Sequence, residues 1–161
     1  MDIPKDNLIP LLRDFFRPIP DCGINNLADI RRVSILVDNI YSPLKKTEIT
    51  STLKSNPLLS GDAEATDNSE LFDCDDYALQ LKSSLTALYR SMRRSGNSVS
   101  PPAVGVVITQ NHALNIVLCE TGNARLEFFL VDPSLKSPRM VSDPSASLEL
   151  LKVLPISLIY I

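Results

Sequence analysis

A chain of 161 residues, 44% hydrophobic and 22% charged, has the make-up of one globular domain with a single core and not of a disordered segment. The net charge of −3, with no basic cluster larger than "RSMRR" at 90–94, speaks against nucleic acid as a main partner. No segment approaches the roughly 18 consecutive apolar residues of a membrane span, and "MDIPKDNLIPLLRDFF" lacks a basic region followed by a long apolar run, so neither a membrane partner nor a signal peptide is expected.

In chain order, "NLIPLLRDFF" reads as a short helix closed by "RPIP", because two prolines in four residues cannot continue one. Residues 25–42 carry apolar positions at Leu27, Ile30, Val33, Ile35, Leu36, Val37 and Ile40; much of this spacing is helical, with Asn26 as N-cap. A further short helix is expected over 42–57, ending near Pro57, and a polar loop over 58–69. Ala78, Leu79, Leu81, Leu85 and Leu88 then mark a helix from about 74 to 93, stopped by "SGNSVSPP". Three strand-like runs follow, at 103–109, 112–120 and 125–132, the last two joined by the hairpin signal "ETGNA", and the final six residues read as a closing strand. Helices followed by an antiparallel sheet predict an α+β fold in one domain, 1–161, with a helical part over 1–69 and the site-bearing core over 70–161.

The chemistry-bearing residues are few. Cys22, Cys74 and Cys119 include no CxxC pair, so a zinc site is not expected. An odd cysteine count without a signal peptide points to free thiols in a reducing, cytoplasmic setting. His112 is the only histidine, so any chemistry that needs an imidazole must use it. Cys74 sits among Asp73, Asp75 and Asp76 at a helix start, where neighbouring carboxylates alone would raise its pKa. The helix N-terminus compensates, because its free N–H groups and dipole favour a thiolate. His112 opens one strand and Asp132 ends its hairpin partner, so both side chains are expected at one edge of the sheet. If that edge abuts the cysteine helix, an imidazole is available to take the thiol proton and a carboxylate to fix the imidazole's tautomer. Cys22, in a turn, and Cys119, in an apolar strand, read as structural.

The segments "DCDDYALQLKSSL", "HALNIVL" and "FFLVDPS" resemble three motifs of bacterial transglutaminase-like cysteine proteinases. They are also similar to the papain-like domain that follows the lectin domain in a fungal agglutinin. The resemblance covers roughly residues 70–135. It implies a papain-like or transglutaminase-like core, Cys74 as nucleophile, His112 as general base and acid, Asp132 as orienting carboxylate, and a peptide or protein substrate. Asn68 stands where such enzymes carry an oxyanion-donating glutamine. Some members bind calcium beside the nucleophile, and Asp73, Asp75 and Asp76 match that acidic cluster. The expected function is a thiol hydrolase of amide bonds. The alternatives are acyl transfer, as in transglutaminases and cell-wall amidases, on the same three residues, and a non-catalytic peptide-binding module.

Overall fold

The computed structural model describes residues 2–59, 73–135, 137–151 and 155–161. The two-residue strand β1 (Ile3–Pro4) leads into helix α1 (Lys5–Phe16), which buries Leu8, Leu12 and Phe16 along one stripe. Asn26 caps α2 (Leu27–Val33): its side chain accepts from the Ala28 and Asp29 N–H groups, and Asp29 answers on the cap's own N–H. The helix expected to run on towards residue 42 stops at Val33. β2 (Ser34–Ile35) and β3 (Ile40–Tyr41) occupy the rest of that segment. The apolar residues that extended the helical pattern are the β-branched Ile35, Val37 and Ile40, which suit extended backbone. Pairing with other strands, β2 with the C-terminal strand and β3 with β1, decides their state.

α3 (Lys46–Ser55) falls where a short helix was expected. α4 (Cys74–Arg94) is the longest element, and Ala78, Leu81, Leu85 and Tyr89 form its buried stripe. Leu79, read from the sequence as part of that stripe, is instead half exposed. β4 (Val104–Ile108), β5 (Ala113–Thr121) and β6 (Arg125–Val131) match the three strand-like runs, with a single 3-10 turn at Gly122–Ala124 closing the β5–β6 hairpin. β7 (Met140–Val141), α5 (Pro144–Leu151) and β8 (Leu158–Tyr160) complete the chain.

The six-stranded sheet has the order β2-β8-β4-β5-β6-β7. It is antiparallel except at one edge, where β2 runs parallel to β8, which corrects the wholly antiparallel expectation. α5 also falls late in the chain, so helices do not simply precede strands. Side chains of β5 alternate between two apolar layers. Leu114, Ile116 and Leu118 pack with Leu8, Leu12, Phe16 and the α5 leucines Leu150 and Leu151. Val117 and Cys119 pack with Leu81, Leu85 and Tyr89 of α4 and Ile49 and Leu53 of α3. The central strands are therefore buried on both faces, which explains why β5 reads as a nearly continuous apolar run. The architecture is α+β, with helices on both sides of a mixed sheet. No helix of the described residues is long and apolar enough to cross a membrane.

Candidate functional site

The site lies where the first turn of α4 meets the start of β5. Asp73 is the N-cap of α4: its carboxylate accepts from the Asp75 N–H at 3.3 Å, while Asp76 accepts from the Asp73 N–H at 3.4 Å. Two of the three aspartates thus satisfy backbone donors that the helix start leaves unpaired. Cys74 is the first helical residue and is half-buried against Ala78, Val106, Ile108 and Ala113. The Ala113 N–H donates to Cys74 Sγ at 3.3 Å, which ties the thiol to the entrance of β5.

His112 and Asp132 meet as their hairpin register requires. Asn115 lies opposite Val131, so Asp132, one residue beyond, falls beside the strand entrance that His112 precedes. His112 Nε2 is 2.8 Å from Asp132 Oδ2, and both residues are buried, the carboxylate completely. The other carboxylate oxygen, Oδ1, accepts from the Ser134 N–H at 3.1 Å and from its hydroxyl. The Asp-Pro-Ser turn and the imidazole are therefore held by one carboxylate. The His112 carbonyl accepts from the Thr109 N–H at 2.9 Å, which closes the tight turn between β4 and β5.

Among the described residues the Cys74 thiol makes no hydrogen bond to the His112 imidazole; it meets the strand through the backbone of Ala113. Strand alternation accounts for this. Ala113 packs on the α4 face, whereas Leu114 packs on the α1 face, and residue 112 shares the parity of 114. Asn68 lies outside the described residues.

One further residue escaped the sequence reading. Asn115 is fully buried and donates to the Ala78 carbonyl at 2.8 Å and to the Gly105 carbonyl at 3.1 Å, fastening the first turns of α4 to the β4–β5 ladder. An asparagine inside an otherwise apolar strand was the available signal, because a buried amide is kept where it has a specific bonding role; here both Nδ2 donors are used, whereas the buried Oδ1 accepts no hydrogen bond among the described residues.

Asp73, Cys74 and Asp75 place their ligand atoms within 4.8 Å of one another; Asp76, also expected as a ligand, is outside this group. Asp73 and Asp75 share a side-chain hydrogen bond, which holds the Asp73 carboxyl below its ordinary range and pushes Asp75 above it. Two adjacent carboxylates suit a hard cation that takes oxygen ligands; the soft sulfur of Cys74 does not.

No family model and no curated protein matches the chain. Solved structures do. A chain of the PSL1a–E64 complex superposes with a TM-score of 0.63 at 17% identity, covering 99% of this chain and 51% of that one. Polyporus squamosus lectin, bound to the human-type influenza-binding epitope Neu5Aca2-6Galb1-4GlcNAc, gives 0.60 at 16% identity, covering 99% of this chain and 49% of that one. This chain thus spans about half the length of each neighbour and shares their fold. The comparisons correct the resemblance to cysteine proteases drawn from the sequence. One of the structures that share the fold is that of a lectin, and no matching family or curated protein supports a thiol hydrolase, a peptidase or a peptide substrate.

Proposed function

We propose that this chain is a carbohydrate-binding domain of lectin type. The observation that carries the reading is coverage: the likeness to a lectin runs over 99% of the chain and is not confined to one motif. The surface beside α4 supports it. One hollow there is lined by Thr86, Ser100, Arg90 and Arg93 together with the apolar Val99, Pro101 and Pro102. Sugars present both C–H faces and hydroxyl edges, and a site of this mixture suits them. Screening the fluorescently labelled chain on a glycan array tests the reading. Retention of a defined glycan class is expected. Retention of none by a chain with a native circular dichroism spectrum overturns it.

A local role for the cluster at the head of α4 accompanies this reading. We infer that Cys74 is a reactive thiol, that His112 is the imidazole able to accept a proton at this site, and that Asp132 fixes the imidazole tautomer. The half-buried place of Cys74 at the head of α4, with the Ala113 N–H on its sulfur, supports this assignment. Asp73 and Asp75 would hold calcium through their carboxylate oxygens.

A further inference from the structure

We propose that the groove beside α4 binds an acidic sugar, with Lys82 contacting its carboxylate or sulfate group and Arg90 a second point of the same ligand. The inference rests on the carbohydrate reading and names the ligand class and the place.

Lys82, Thr86 and Arg90 follow one another at intervals of four residues and so share one face of α4. They line a hollow of about 320 Å³ together with Leu79, Ser83 and Ala87. A second hollow, of about 200 Å³, continues from Thr86 and Arg90 to Arg93 and Val99. Among the described residues no acidic side chain lines either one, although Asp2 and Asp38 share an adjoining hollow with Arg93 and Ser100. Arg90 and Arg93 are exposed and make no ion pair among the described residues.

Lys82 is the informative member. Its side chain is half-buried, its Nζ donates to the Val104 carbonyl at 2.7 Å, and the ammonium stands 5.0 Å from the centre of the Tyr160 ring. An ammonium has three N–H donors, so the single carbonyl leaves donors unused. No carboxylate comes within ion-pair distance of it among the described residues, although Asp38 favours its charge from farther off. Burial accordingly holds the Lys82 pKa below the ordinary lysine value. A desolvated cation without a counter-charge is costly, and an anion entering the open hollow would relieve that cost. Arg90, two turns along and about 12 Å away by helix rise, gives the same ligand a second cationic contact. Ser83 and the Thr86 hydroxyl, which donates to the Lys82 carbonyl at 2.8 Å and retains acceptor capacity, lie between them.

Calorimetric titration of the full chain tests this with three probes: a sialylated trisaccharide, its desialylated counterpart and inorganic sulfate. The acidic sugar is expected to bind about tenfold or more tighter than the neutral one, the effect of one charged hydrogen-bonded contact. Its affinity should fall as salt rises. Lys82→Met keeps the apolar stem and should remove most of the difference; the exposed-site variant Arg90→Gln, which poses no folding risk, should remove part of it. Equal binding of acidic and neutral sugars, or an acidic preference untouched in both variants, overturns the inference while the carbohydrate reading stands. Sulfate binding as tightly as the acidic sugar overturns the sugar as the occupant. Absence of binding by every sugar overturns both.

Discussion

The three cysteines occupy three different environments, and their reactivity should separate accordingly. Burial pushes the Cys22 thiol up and the Cys119 thiol up to about 12, whereas Cys74 is half-buried and receives a backbone N–H. Iodoacetamide at neutral pH is therefore expected to label Cys74 alone in the folded chain, as peptide mapping by mass spectrometry will show; labelling of all three at one rate would remove Cys74 from the account. Cys119 also predicts a pH effect. Its folded pKa lies above the ordinary value of 9.0, so between pH 9 and about 12 the unfolded chain loses a proton that the folded chain keeps. Stability should fall with rising pH in that window, by at most about 1.4 kcal/mol per unit from this group. Lys82, whose folded pKa is depressed, contributes in the opposite sense, so the cleanest readout is a smaller alkaline loss in Cys119→Ala than in wild type by urea unfolding. At this scale the His112–Asp132 pair was legible, because hairpin register follows from the turn and the strand lengths. The missing thiol–imidazole bond was not, because it depends on which sheet face a residue just outside the strand adopts.

Among the elements, α4 and the β4–β6 strands were readable since each repeats its period several times. β1, β2, β3 and β7 are two residues long and contain no period to read, and the parallel pairing of β2 with β8 joins segments more than 120 residues apart. α5 did leave a signal that the sequence reading passed over: Asp143 followed by Pro144, a cap and a first-turn proline. The Asp143 carboxylate indeed accepts from the Ser145 and Ala146 N–H groups at 2.9 and 3.1 Å. The cap of α4 makes a direct prediction. Asp73→Ala should cost about 1 kcal/mol in chemical denaturation, the usual value of an N-cap. Calcium should raise the melting temperature of wild type but not of that variant, by mass action on the native state; an equal shift in both would place the ion elsewhere. Gly105 marks a close approach in the sheet. A Cβ there would stand 2.5 Å from Ile161 Cγ1 and 2.7 Å from the Tyr160 carbonyl oxygen, and the backbone atom has little room to yield. Gly105→Ala is expected to destabilise by roughly 1–3 kcal/mol or more, as overpacking does, with an unchanged melting curve as the contrary result.

For the whole molecule, the layered α+β arrangement follows from apolar patterning, whereas the biological role does not. Patterning fixes which faces are covered, and many unrelated activities share one set of covered faces. The sequence motifs led to a thiol hydrolase because Cys74, His112 and Asp132 occur in a suggestive order. The shared fold supports instead the carbohydrate reading proposed above, and the cationic groove beside α4, invisible before α4 was placed against residues 99–102, offers the surface such a reading requires. The most direct measurement is a nuclear magnetic resonance titration of the isotopically labelled chain with the sialylated trisaccharide. Saturable shifts confined to the amides of Lys82–Arg93 and of Val99 and Ser100 are the predicted result; amides that stay unmoved up to millimolar sugar in a well-folded sample would contradict the account.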